Sequence, residues 1–197
     1  MQTISYITKK GQEISTIFED LAQLRITVFH DFPYLYEGTL AYEIEYLKVY
    51  SEAERAFVFA VYDGKKMVGA TTCIPLADES PEVRLPFEKA GFDTDTIFYF
   101  GESILLKDYR GLGLGHRFFH ERETYARSFH TYKTTCFCAV DRGENHPLQP
   151  KDYRSNEAFW TKRGYRKEVS LQSTFEWPDI NESISTPKTM IYWKRDL

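Results

Sequence analysis

Apolar residues recur along this chain with two periods. Ile14, Ile17, Phe18, Leu21, Leu24 and Val28 stand three or four apart, the spacing of one helical stripe, and predict an amphipathic helix from about Ile14 to Phe29. Leu40, Ile44 and Leu47 predict a second helix from Thr39 to about Ser51. Phe118, Phe119, Tyr125, Ala126 and Phe129 predict a third from His116 onward. Runs of strand length fall at residues 3–8, 56–62, 67–74, 97–106, 134–140, 169–175 and 189–194, and Asp63-Gly64 turns the second run into the third as a hairpin. Residues 76–96 are rich in Asp, Glu and Pro and read as a surface excursion with one short helical patch near Phe87. After a long connection from Asp141 to Arg154, Ser155-Asn156-Glu157 supplies a cap for a short helix over 158–163, which Gly164 stops. The predicted order is β, α, α, β, β, β, α, β, α, β, β, with no internal repeat.

Between the fourth strand run and the long helix lies Arg110-Gly111-Leu112-Gly113-Leu114-Gly115. Glycine at alternate positions lets a ligand approach the backbone, and the helix that follows aims its unpaired N–H groups and positive dipole end at the same place. That arrangement is an anion cradle. A dinucleotide fingerprint is a poorer match, because His116 stands where its third glycine belongs and more than a hundred residues precede the motif, although Asp141 ends the next strand where a ribose-binding acid would sit. An NTPase loop would need Gly-Lys-Ser/Thr, which is absent.

The R-x-x-G-x-G pattern after a strand and before a helix resembles the acyl-CoA pyrophosphate loop of the GNAT superfamily of N-acetyltransferases. Asn156-x-Ala158 with Trp160-Thr161-Lys162-Arg163-Gly164-Tyr165 is similar to that family's second motif, and MIYWKRDL to its last strand. The resemblance implies an α/β (α+β) fold: a mixed, mostly antiparallel seven-stranded sheet with about four helices, splayed at its central strands, in one domain over 1–197. It implies acetyl-CoA as co-substrate and no metal. Arg110, Gly111, Leu112, Gly113, Leu114 and Gly115 would hold the pyrophosphate. A bulge at Gly101 would free backbone N–H groups near Ile104 and Leu105 for the pantetheine arm and the thioester oxygen, and Asn156 and Trp160 would line the arm. A packing role for Gly101 against a bulky neighbour is the alternative.

Amine acylation needs a base for the ammonium, donors for the carbonyl oxygen and a way out for the thiolate. Glu102 is the one acid inside an apolar strand, and desolvation suits a carboxylate to proton transfer; an ion pair with Arg117, Arg122 or another basic neighbour competes with that role. Counting back from Arg110, Tyr99 holds the place where some family members carry a glutamate base. Trp160 stands where many carry a tyrosine that protonates the thiolate, and an indole N–H has no usable acidity. Tyr153 on the long loop is the candidate replacement acid, with Tyr165 read as a core residue. His116 and His120, one turn apart after the cradle, could help neutralise phosphate, and His146 could relay protons.

Composition narrows the partners. The 197 residues include 14 Tyr, 15 Phe and 3 Trp, a load that favours an aromatic-walled pocket. Net charge is −4 but uneven: residues 1–100 carry 9 Lys+Arg against 16 Asp+Glu, and the remainder 16 against 13, so the cradle lies in the basic half. Without a polybasic run or basic-aromatic interleaving, nucleic acid is not an expected partner. No apolar run approaches the ~20 residues that span a bilayer, the beginning lacks a signal-peptide core, and a cytoplasmic location is expected. Cys73, Cys136 and Cys138 read as core thiols without metal-ligand spacing. Phe29, Phe32, Tyr34 and Tyr36, with Asp31 and Glu37 among them, suggest a small cationic amine as acceptor. A homodimer is left open. A CoA-binding sensor or partner module that has lost catalysis and a nicotinamide oxidoreductase are the rival readings.

Overall fold

The seven apolar runs form eight strands, because the central run breaks in two. In the computed structural model, which describes residues 3–197, the strands are β1 (Ile4–Lys10), β2 (Phe57–Asp63), β3 (Lys66–Pro75), β4 (Ile97–Tyr99), β5 (Ser103–Leu105), β6 (Thr134–Val140), β7 (Arg166–Trp177) and β8 (Thr186–Asp196). They lie in the order β1-β2-β3-β4-β6-β8-β7, with β5 also paired to β3. Among the described residues only β4 and β6 run parallel. A parallel pair needs a crossover, and it is supplied by β5, the glycine loop and helix α4 (Leu114–Arg127).

Helices cover both faces. On one, α1 (Phe18–Phe29), α2 (Leu40–Glu52) and α3 (Pro81–Lys89) close over Ile14, Leu21, Leu47, Tyr50, Phe87, Tyr99 and Tyr192. On the other, α4 and α5 (Glu157–Lys162) cover an aromatic layer of Phe98, Phe100, Phe118, Phe119, Phe137 and Trp193. No helix is long and apolar enough to cross a membrane among the described residues. All three cysteines are buried and free.

The structure departs from the predicted elements in three informative places. The first helix opens as a 3-10 segment over Gly11–Ile17, where Ser15 Oγ donates to Gln12 O and Thr16 Oγ1 to Glu13 O, so hydroxyls compete for carbonyls that an α-helix would use. Helix α2 is turned relative to the stripe drawn through Leu40, Ile44 and Leu47: it buries Glu43, Leu47 and Tyr50 and leaves Leu40 42% exposed. The acidic excursion contains a regular helix, α3, started by Pro81 and pinned inward by Val83 and Phe87.

Candidate functional site

The break in the central strand is a β-bulge. Ile74 of β3 faces Tyr99, and Thr71 faces Ser103, so three steps along β3 match four along its partner. The extra residue sits opposite Thr72, whose carbonyl accepts from Gly101 N–H (3.2 Å) and whose N–H donates to Glu102 O (3.1 Å). A glycine is required there by space: a Cβ on Gly101 would stand 1.9 Å from the Tyr50 hydroxyl oxygen and 2.6 Å from Thr72 Oγ1. Bulge and close packing, weighed above as alternatives, therefore coincide.

Past the bulge β5 stays with β3 and leaves β6. The last link across the joint is Phe100 N–H to Cys136 O at 2.7 Å, and β6 beyond it pairs only with β8. Parity fixes which amides of β5 face the opening. Thr72 N–H bonds Glu102 O and Leu106 N–H bonds Val68 O, so in an antiparallel ladder Ile104, opposite Ala70, also turns its backbone groups to β3. The N–H groups of Ser103 and Leu105 point the other way. The expectation that Ile104 offers a free amide is thus corrected: Leu105 does, and Ser103 joins it.

The glycine loop follows within a few residues. Gly111 (φ 78°) and Gly113 (φ 81°) both take the left-handed conformation, and nothing lies within 4 Å of where a Cβ would stand on either. Gly113 is the N-cap of α4, and the first helical bond runs from Arg117 N–H to Gly113 O, leaving the N–H groups of Leu114, Gly115 and His116 without helical acceptors. Leu114 anchors the helix start in the aromatic layer, while Leu112 projects outward at 62% exposure. Arg110 is exposed, and its Nε donates to Leu105 O at 3.2 Å, which ties the loop to the end of β5. A Cβ on Gly115 would stand 3.7 Å from Phe159 Cζ of α5, so the two motifs seen in the sequence meet. His116 packs edge-on against the same ring. Open backbone at a helix N-terminus of this kind fits a pyrophosphate.

Glu102 is not free for proton transfer. One carboxylate oxygen accepts from Arg25 and the other from Thr72 Oγ1, which in turn accepts from Glu102 N–H at 2.9 Å. Arg25 also holds Glu43, and its guanidinium lies over the rings of Tyr46 and Phe29 at 4.3 and 5.0 Å. Arg122 reaches Glu102 O from the opposite face. The proposed base is therefore corrected to one end of a buried ion triad that fixes the bulge to α1 and α2; the partner is Arg25 rather than Arg117 or Arg122. Two carboxylates share one guanidinium, and Glu43 Oε1 has no partner.

The aromatic loop between α1 and α2 is clamped by groups the sequence did not single out. Arg142 donates to the carbonyls of Pro33 and Tyr34 and pairs both guanidinium nitrogens with Asp179 at 2.7 and 2.8 Å. Although burial works the other way, Arg142 and Lys188 hold the Asp179 carboxyl below its usual range. Asp31 pairs with Lys107 at 3.0 Å. Phe32 packs edge-on against Tyr153 at 4.7 Å and near His146 at 5.6 Å, so the long loop closes on the aromatic loop as one cluster. Tyr153 is half-buried, and burial followed by the charge of Glu157 pushes its hydroxyl above the ordinary value.

In the second motif the helix cap falls on one residue of the predicted trio. Ser155 Oγ, not Asn156, accepts from Glu157 N–H at 3.1 Å, and the exposed Asn156 side chain makes no cap bond. Trp160 packs edge-on against Phe137 (4.9 Å) and Trp193 (5.2 Å), so its ring closes the aromatic layer. Tyr165 is a core residue bonded to Thr135 Oγ1 at 2.9 Å. Cys138 lies 3.2 Å from the Tyr99 hydroxyl, and burial pushes its thiol up to about 12, which rules it out as a thiolate nucleophile. Two surface depressions, of about 480 and 580 Å³, lie near Glu13 and Glu52 and near Arg55 and Asp78, and touch neither the glycine loop nor the bulge.

Three of the groups missed in the sequence share one trait. Arg25, Glu43 and Glu79 are charged residues buried on helical or turn segments, and their only signal is position: Glu43, Leu47 and Tyr50 stand at i, i+4 and i+7.

No protein-family model and no curated protein sequence matches this chain. Solved structures do. An acetyltransferase from Thermus thermophilus is similar at 16% identity over 100% of both chains, with a TM-score of 0.57. An acetyltransferase of the GNAT family from Streptococcus pneumoniae is similar at 11% identity over 98% of this chain and 100% of its own, TM-score 0.57. An aminoglycoside 6'-N-acetyltransferase complexed with coenzyme A is similar at 16% identity over 96% of each, TM-score 0.57. Interrupted central strand, glycine loop and crossover helix thus come together in a chain that has the fold of the GNAT acetyltransferases.

Proposed function

We propose that the protein is an N-acyltransferase that moves an acetyl group from acetyl-CoA to the amine of a small cationic acceptor by direct transfer in a ternary complex. The observation that carries the reading is the adjacency of two features that one broken strand creates: outward-facing amides on β5 and, a few residues on, the open N-terminus of α4. The aminoglycoside acetyltransferase of similar fold binds coenzyme A.

The residues fit the parts of such a reaction. The N–H groups of Leu114, Gly115 and His116, with Arg110 beside them, form the diphosphate seat. The outward amides of Ser103 and Leu105 lie along the path toward the bulge and are suited to hold a pantetheine arm and polarise a thioester oxygen. Acetyl-CoA supplies the activated acetyl thioester. Tyr153, kept protonated at neutral pH, is the proton donor for the departing sulfur. A cationic acceptor agrees with a buried cluster in which two carboxylates share one guanidinium. The amine class follows from that charge rather than from the aromatic loop, whose Phe29 ring Arg25 already covers.

The test is calorimetric titration with CoA followed by acetyl-CoA turnover against small polyamines, amino sugars, N-terminal peptides and anionic amines. Tight CoA binding with turnover confined to small cations is the expected result. Absence of CoA binding would overturn the reading, and binding without turnover of any amine would place the chain among non-catalytic CoA-binding proteins.

A further inference from the structure

Glu79 is a buried carboxylate outside that ion triad. It follows the 3-10 turn Leu76–Asp78 after β3, is 5% exposed, and uses one carboxylate oxygen to accept from Ser80 N–H at 2.9 Å. Its other oxygen is buried without a partner. The cation that bears on it, Arg25, is committed to Glu43 and Glu102. Tyr50 of α2 is the second such group nearby: its hydroxyl abuts Gly101 in the bulge, faces Thr72 and Glu79, and makes no hydrogen bond of ordinary geometry. Two orphaned polar groups thus converge on the strand break from α2 and from the β3–α3 turn. Buried polar groups are almost always satisfied, and a donor-rich group placed between these two would satisfy both.

We propose that Glu79 is the proton acceptor for the acceptor amine in the acetyl transfer proposed above, a reading on which this inference rests. The ammonium, directly or through one bridging water, gives its proton to the unpartnered Glu79 oxygen. The nitrogen lone pair so exposed forms the bond to the acetyl carbon, the carbon–sulfur bond breaks with its electron pair on sulfur, the sulfur takes its proton from Tyr153, and the second proton shed by the new amide nitrogen restores the Tyr153 hydroxyl through solvent. Tyr50 orients the exchange as a hydroxyl that both accepts and donates.

The surroundings leave Glu79 as the group that changes charge near neutrality. Burial pushes its carboxyl up to about 7, with Glu102 adding to the shift and Ser80, Arg25 and Tyr50 opposing it. The tyrosines that face it, Tyr46 and Tyr50 of α2, Tyr99 of β4 and Tyr192 of β8, are all pushed up by burial and stay protonated there. The same holds for the thiols of Cys136 and Cys138 on β6. A base with a pKa near the working pH is the efficient one for an amine.

The experiment compares the wild type with Glu79→Gln, which keeps shape and removes the proton site. In the wild type, kcat/KM should rise with pH and level off above about 7. In Glu79→Gln that limb should vanish and kcat should fall on the order of 10²–10⁴-fold, with CoA affinity by calorimetry unchanged. Difference infrared spectra of the two proteins should contain a carboxylic-acid band that disappears as pH passes about 7. Equal turnover with the same pH limb in both overturns the proposal, as does a band that titrates while turnover is unchanged, which would mark a merely structural acid. A wild type that binds CoA and acetylates nothing overturns the transfer reading and this inference with it.

Discussion

Replacing Gly101 by alanine tests how the strand break is built. The new Cβ would stand 1.9 Å from the Tyr50 hydroxyl oxygen, 3.0 Å from Tyr50 Cζ and 2.6 Å from Thr72 Oγ1. Ordinary contact begins near 3.4 Å, so something must move by roughly 1.5 Å in a close-packed interior. Overpacking of this kind costs ~1–3 kcal/mol, and a clash against two elements belongs at the upper end. The Tyr50 hydroxyl has no hydrogen-bond partner, so Tyr50→Phe alone should change stability by less than ~1 kcal/mol. Together the two changes remove the worst contact and leave those to Thr72 Oγ1 and to the ring carbon Cζ. The double variant should therefore recover roughly half of the loss, a coupling of ~1–2 kcal/mol. Urea unfolding of the four proteins, followed by far-UV circular dichroism, measures it. A Gly101→Ala protein as stable as wild type, or strictly additive changes, would refute the packing argument.

Three further outcomes follow from the site. Because Glu79 titrates at about 7 in the fold against 4.5 in the open chain, the folded state binds the extra proton between those values; stability should decline as pH rises through that window, by about 3 kcal/mol in total. Glu79→Gln should lack that decline, and urea midpoints at pH 5 and pH 8 read the difference. Gly113→Asp adds a side chain at φ 81° and a negative charge at a helix N-terminus, and should abolish CoA binding by calorimetry while the circular dichroism spectrum persists. Tyr153→Phe should lower turnover at unchanged CoA affinity, and equal turnover in both proteins would remove Tyr153 from the reaction.

How much of this was legible in the chain varies by distance. Thr134–Val140 appears at the predicted bounds, because an apolar run between polar flanks needs only local information. Gly101 announced the bulge, since a glycine inside a bulky run signals a break or a close approach. Glu102 stood out as an acid in an apolar strand, but its partner Arg25 lies 77 residues away, and no local pattern joins them. Helix α2 was assigned a face from its aliphatic residues, whereas the ion pair to Arg25 turned Glu43 inward. Glu79 was hidden by company: an acidic, proline-containing stretch reads as solvated surface, and only tertiary packing encloses it. The fate of Ile104 depended on ladder parity, which a one-residue bulge reverses.

The three residue pairs between β4 and β6 have a mechanical consequence. On one side stand β1, β2, β3 and β5, on the other β6, β8 and β7, and the hydrogen-bonded path from one leaf to the other runs through a strand of three residues. The sheet is a book with a short spine. Opening the book breaks few backbone bonds, so exchange of the amides in β4 and in Phe100 should report a motion cheaper than global unfolding. Anything that lies along the gap and touches both leaves acts as a clasp. It would raise the cost of that opening more than the cost of fraying at β1 or β7, and the two rates would separate on binding.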